Sequence, residues 1–210
     1  MEAVTQPAQS VIDWGVAHAA FGGEPKSGDS HLVQPFPNGV LVGVLDGIGH
    51  GEEACAVAET AVGILAARPG DSIISLLKRC HEALRGTRGV VMSLASFNGN
   101  EGVMTWSGVG NVEGLLMHPD HATPQRESLL LRGGVVGHQL PALQAAVVPL
   151  TAGDTLIFTT DGIRGGFNVA PQLKNPPQKI ADHILSEASK GNDDALVLVA
   201  RYTGAERQKR

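Results

Sequence analysis

The stretch "VLVGVLDGIGHGEEA", residues 40–54, decides how this chain is read. Its first half is almost wholly apolar and rich in valine. Such a run reads as a central strand buried on both faces. Asp46 closes it, and three glycines follow within five positions. Glu52 and Glu53 then open a helix-like segment, where negative charge suits a helix N-terminus. Asp46 has three readings: a turn residue, part of a phosphate loop, or a metal ligand. Alone, an Asp-Gly pair is most simply a turn. The phosphate-loop reading lacks the Lys-Ser/Thr of a Walker loop and the G-x-G-x-x-G spacing. The two glutamates would also oppose a phosphate at that helix end.

The neighbouring segments set the context. Strand-like runs occupy 11–20, 30–36 and 39–46. Over 52–68, Val57, Ala61, Ile64, Leu65 and Arg68 recur at helical spacing. Over 71–86, Ile73, Leu76, Leu77, Cys80 and Leu84 form a second stripe. Asp71 is the expected N-cap of that helix and Gly86 its C′ residue. Strands return at 89–97, 102–110, 112–118, 128–132, 145–150 and 154–160. "NG" at 98–99 and "AGD" at 152–154 read as turns between neighbouring strands. A last helix at about 176–189 carries Ile180, Ala181, Ile184, Leu185 and Ala188 on its apolar face, and a strand at 195–201 follows. This order predicts antiparallel sheets with segregated helices rather than a βαβ repeat. The expected class is α+β: two mainly antiparallel sheets packed together with helices outside. One domain over 1–210 is expected, with a core of about 11–201 and flexible tails.

Composition narrows the function. Of 210 residues, 42% are hydrophobic and 18% charged, with a net charge of −5, which is an ordinary globular balance. No basic patch argues for nucleic acid, and the tail "ERQKR" reads as a solvated end. No signal peptide and no apolar run near the ~20 residues of a membrane helix is evident, so a cytoplasmic protein is expected. Cys55 and Cys80 do not make a disulfide framework and read as buried, reduced thiols. Trp14 and Trp106 read as core residues. The histidines are dispersed, with no H-x-x-x-H pair among them.

The acidic residues are patterned. Asp29 sits in "SGDS", Asp46 in "VLDGIGHG", Asp161 in "FTTDGI", and Asp193 and Asp194 in "GNDDALVLV". Asp46 and Asp161 end apolar strands and precede glycine, while the Asp193–Asp194 pair opens one. Carboxylates at the ends of neighbouring buried strands would meet at one sheet edge and repel unless neutralised. A pair of hard divalent cations fits, since Mg²⁺ and Mn²⁺ take oxygen ligands. Gly47 would let the backbone approach closely and offer its carbonyl.

"VLDGIGHGEEA", then "LTAGDTLIFTTDGI" and "DDALVLV", resemble the metal-dependent protein phosphatases (PPM, type 2C), over about residues 11–201. The closer similarity is to the SpoIIE-like branch with its DGMGHG-like motif. In size the chain is most similar to the stressosome phosphatases of that branch. The resemblance implies an α-β-β-α sandwich with two Mn²⁺ or Mg²⁺ ions at one edge. By motif, Asp46 would bridge both metals and the Gly47 carbonyl would bind one. Asp161 and Asp193 would be further ligands, with Asp29 an outer carboxylate holding water. Asp46, Asp161 and Asp193 would then carry catalysis, a metal-activated water attacking phosphorus in line. The implied partners are phosphorylated STAS-domain stressosome proteins, whose dephosphorylation resets a bacterial stress response. Alternatives are a degenerate, non-catalytic interaction module, a SpoIIE-like phosphatase acting on an anti-anti-sigma factor, and a nucleotide-binding protein. The chain departs from the family in several places. Ile48 stands where many members have a histidine, and His50 follows two residues later. Glu24 stands in place of a phosphate-binding arginine, with Lys26 a possible source of positive charge. Asn111 replaces an Asp and Leu196 a Thr, and "DGIRGG" lacks the acidic residue often found after DGI.

Overall fold

The computed structural model describes residues 11–23, 26–49, 51–119 and 125–204. The chain runs through β1 (Ile12–Ala19), β2 (Asp29–Phe36) and β3 (Gly39–Gly47), then α1 (Gly51–Ala66) and α2 (Ile73–Ala83). Next come β4 (Val90–Asn98), β5 (Val103–Val109), β6 (Glu113–His118), β7 (Gln125–Ser128), β8 (Leu131–Arg132), β9 (Ala146–Pro149) and β10 (Thr155–Thr159). Last are α3 (Pro177–Ala188) and β11 (Ala195–Tyr202). One sheet has the order β1-β11-β10-β6-β7 and the other β2-β3-β4-β5-β8, with β9 also on β5. The β5–β8 pairing is parallel and the other strand pairs are antiparallel.

Side-chain parity sorts the layers, because successive residues of a strand point to opposite faces. In β3, Val40, Val42 and Val44 enter the core between the sheets, while Leu41 and Leu45 pack with α1 and α2. In β11, Leu196, Leu198 and Ala200 face the other sheet, and Val197 and Val199 pack with α3. A strand between two apolar layers must be apolar where it is sandwiched, which is why residues 40–45 of β3 and 195–200 of β11 lack polar side chains. The layers are therefore α1 and α2, sheet, sheet, α3: the expected α-β-β-α sandwich. Gln178 of α3 seals part of the free β1 edge, accepting from the Val16 N–H (3.1 Å) and donating to its carbonyl (2.7 Å).

Several local expectations change. Ser72, not Asp71, caps α2, accepting from the Ser75 N–H at 3.3 Å, while Asp71 pairs with Arg79 at 2.6 Å. Leu84 is the C-cap, so Gly86 (φ 83) lies one residue past C′. The run 128–132 is not one strand: β7 ends in one sheet and β8 begins in the other. The turn at 152–154 exists, closed by the Asp154 N–H to Thr151 O (3.0 Å), but it carries the chain between sheets rather than between neighbours. Trp106 is buried as expected, whereas Trp14 is 46% exposed on edge strand β1 beside His31. Cys55 and Cys80 are free and buried, and burial pushes the Cys80 thiol up to about 12. Among the described residues no helix is long and apolar enough to cross a membrane. The two tails, Glu24, His50 and His121 lie outside the described residues.

Candidate metal centre

Asp29, Asp46, Asp161, Asp193 and Asp194 line one cavity of about 350 Å³, together with Ile48, Gly49 and Asn111. The parity that builds the core also builds this convergence. Asp46 continues the series Val40, Val42, Val44 and so points between the sheets. Asp29 is its cross-strand partner on β2. Asp161 leaves the end of β10, and Asp193 and Asp194 lead into β11, its neighbour. Two carboxylates thus come from one sheet and three from the other.

The two Asp-Gly glycines both serve close approach, Gly162 within a turn closed by the Ile163 N–H to the Thr160 carbonyl (3.1 Å). Neither Gly47 nor Gly162 has a positive φ. A Cβ on Gly47 would lie 2.2 Å from the Ala54 carbonyl oxygen of α1, and one on Gly162 would lie 1.9 Å from the Asp194 carbonyl oxygen. Any side chain at either position would push the adjacent aspartate away from the others. Gly49 and Gly51 do carry positive φ, 108° and 75°, and turn the chain into α1.

Hydrogen bonds show which aspartates are committed. Asp194 accepts from the Phe21 N–H (2.7 Å) and the Gly28 N–H (2.6 Å), so it anchors the segment leading to Asp29. Thr160 donates to Asp29 at 2.7 Å and accepts from the Leu196 N–H at 2.9 Å, linking the two sheets beside the cavity. Asn111 donates to Asp161 at 2.9 Å, and Lys190 donates to the Asp161 carbonyl at 2.5 Å. Asn111 therefore orients a carboxylate instead of supplying one. Lys26 is exposed and does not line the cavity. Thr160 and Lys190 escape sequence reasoning, since their partners are distant in the chain and follow no local spacing.

The electrostatics are those of anions held together. Burial pushes Asp29 up to about 8, helped by Asp46, Asp194 and Asp161 and opposed by the Thr160 hydrogen bond. Burial also pushes Asp46 up to about 7, with Asp161, Asp193 and Asp194 adding to it. Raised carboxylates signal a demand for positive charge that, among the described residues, no basic side chain lining the cavity meets. The donors are all oxygens, which suits Mg²⁺ or Mn²⁺ rather than a soft metal. Among the described residues no three His, Cys, Asp or Glu side chains gather closely enough to hold one ion by themselves. An ion held here would have to complete its shell with waters or backbone carbonyl oxygens.

The family model described as Stage II sporulation protein E (SpoIIE) matches residues 37–203, from β3 through β11. The chain belongs to the SpoIIE family. This SpoIIE-family chain is 26% identical over 97 residues to phosphoserine phosphatase RsbX of Bacillus subtilis (strain 168), covering 46% of this chain and 49% of that protein. The match thus spans about half the length of that curated relative. A chain from a structure of the bacterial stressosome, a modular system adapted to control secondary messenger signalling, superposes with TM-score 0.84 at 28% identity, covering 90% of this chain and 99% of that one. RsbX in complex with magnesium superposes with TM-score 0.80 at 20% identity, covering 90% and 94%. The SpoIIE-family chain therefore has the fold of the PP2C (PPM) phosphatases.

Proposed function

We propose that this chain is a Mn²⁺- or Mg²⁺-dependent phosphoserine/phosphothreonine protein phosphatase. The observation that carries the reading is the convergence of five aspartates from two sheets on one cavity. Asp46, Asp161 and Asp193 would hold two cations with the Gly47 carbonyl, and Asp29 would be an outer carboxylate. When bound, the cations supply an acidified water as nucleophile and positive charge against the phosphoryl group. The protein's own part is placement. Asn111 orients Asp161, Thr160 holds Asp29 across the sheet gap, and Asp194 fixes the segment before Asp29. Hydrolysis by water needs no thiol nucleophile, in keeping with two buried cysteines. The similarity to RsbX and to a stressosome chain supports phosphorylated STAS-domain stressosome proteins as substrates, in the cytoplasm.

The test is phosphate release from a panel of phosphorylated STAS-domain proteins with Mn²⁺. Asp46→Asn and Asp161→Asn are expected to lower turnover by roughly 100-fold or more, as loss of a charge-positioning group in an active site does. Undiminished turnover in both variants would end the metal-site argument. One observation favours the non-catalytic alternative: among the described residues, no histidine or basic side chain lines the cavity. Calorimetry separates the readings, because a pure interaction module would take up no Mn²⁺.

A further inference from the structure

We propose that Arg88 is the residue that grips the substrate's phosphoryl group. The inference rests on the phosphatase reading and adds a substrate contact to it. Two divalent cations would at most offset the five aspartates of the cavity, so a phosphate dianion would still gain from a cationic side chain at its rim. Arg88 stands there. Its Nη1 lies 2.6 Å from the place a Cβ would take on Gly49, and Gly49 lines the cavity.

The loop presenting Arg88 is well fixed. It reads "GTRG", with Gly86 and Gly89 both at positive φ (83° and 81°). Thr87 ties it together, donating to the Leu84 carbonyl at 2.7 Å and accepting from the Gly89 N–H at 3.0 Å. The Gly89 carbonyl accepts from the Ile48 N–H at 3.1 Å, which joins this loop to the Asp46–Gly47 segment. Two other cations near this edge are held by backbone: Lys190 by the Asp161 carbonyl (2.5 Å) and Arg164 by the Ser189 carbonyl (2.9 Å). Arg88 instead pairs with Glu53 in the first turn of α1, at 3.1 Å, with side chains 53% and 65% exposed. An exposed pair of this kind is weak and exchanges readily. A phosphoryl dianion carries more negative charge than one exposed carboxylate and can equally be held through two oxygens by the planar guanidinium. Glu53 parks the arginine and competes with substrate for it.

The experiment compares wild type, Arg88→Met, Arg88→Lys and Glu53→Gln at saturating Mn²⁺. The probes are p-nitrophenyl phosphate, a phosphorylated STAS-domain protein, and inorganic phosphate as competitive inhibitor. Arg88→Met is expected to raise KM for both substrates and Ki for phosphate by roughly tenfold to a hundredfold, the worth of a hydrogen bond to a charged group. Little change in kcat, in Mn²⁺ affinity by calorimetry or in melting temperature should accompany it. Arg88→Lys should fall between, and Glu53→Gln should lower KM and Ki. Unchanged KM and Ki in Arg88→Met overturn the assignment. So does a rise confined to the phosphoprotein, which would place Arg88 against the protein rather than the phosphate. A loss of Mn²⁺ affinity or folding with Ki unchanged overturns it as well. If the wild type hydrolyses nothing, the phosphatase reading fails by itself. Calorimetry of inorganic phosphate with the Mn²⁺-loaded protein then decides Arg88: binding lost in Arg88→Met upholds it, and binding retained refutes it.

Discussion

Replacing Thr160 with valine tests whether the sheets are clamped together at the candidate site. The two side chains have nearly the same shape, so no cavity opens, and only the hydroxyl is lost. That hydroxyl donates to Asp29 at 2.7 Å and accepts from the buried Leu196 N–H at 2.9 Å. A hydrogen bond to a charged group contributes about 1.5–3 kcal/mol, and an orphaned buried N–H costs about 1–3 kcal/mol. The expected loss is thus about 3–4 kcal/mol, or roughly 10 °C in melting temperature for a chain of this size. Thr160→Ser keeps the hydroxyl and removes one methyl, so it should cost only about 1 kcal/mol. The loss in the valine variant should also depend on pH. Asp29 sits at about 8 and the Thr160 bond favours its ionised form. In chelator, where Asp29 changes from neutral to charged between about pH 6 and pH 9, the gap between valine and wild type should widen as pH rises. Thermal melts of the three proteins across that range are the assay. A valine variant as stable as the serine variant at every pH would refute the clamp.

Other expectations follow from the same geometry. Asp29 and Asp46 lie at about 8 and about 7, above their ordinary 3.8. A carboxyl raised by folding holds its proton in the folded state after the unfolded chain has lost it, so stability falls as pH rises through the interval. The metal-free melting temperature should therefore drop between about pH 4 and pH 8, Mn²⁺ should restore it, and Asp29→Asn should flatten the drop. A metal-free melt that rises over that interval, or is the same in Asp29→Asn, would contradict this. Gly162→Ala would force a Cβ to within 1.9 Å of the Asp194 carbonyl, so denaturant midpoints should fall by an amount equivalent to about 1–3 kcal/mol and Mn²⁺ affinity should weaken. Gly63→Ala on the exposed face of α1 meets nothing within 4 Å and should instead stabilise, by up to about 1 kcal/mol.

The elements legible from sequence are those whose residues carry their surroundings locally. β3 and β11 lie between apolar layers, so their uninterrupted valines and leucines announce central strands before any partner is known. The stripe Ile73, Leu76, Leu77, Cys80, Leu84 is buried as its spacing requires. Misreadings arise where a pattern says nothing of which sheet receives it. Residues 128–132 centre on three consecutive leucines, yet the chain changes sheets within them, leaving Leu130 72% exposed. An alternating or apolar run specifies a face to bury, not the sheet that buries it. The Asp-Gly glycines were legible as special, but their reason is contact with Ala54 and Asp194, which only the packed structure supplies.

The adjacent Asp193 and Asp194 divide the work in a way their identical side chains conceal. Asp194 is buried, and its two oxygens are taken by the N–H groups of Phe21 and Gly28. Asp193 is exposed, and among the described residues one of its oxygens accepts from its neighbour's N–H at 2.9 Å. A carboxylate has about four acceptor positions, so Asp193 keeps most of its capacity for a cation, while Asp194 has spent the more accessible part of its own. Asp194 acts on the site indirectly: its bond to Gly28 sets the residue before Asp29, across a separation of 166 positions. Thr160 bridges to Asp29 across 131 positions. The cavity therefore exists only when the start of β2 has met the chain at the end of β10 and the start of β11. Cation binding to such a site stabilises the whole fold rather than a local loop, because no short segment of the chain contains the donors.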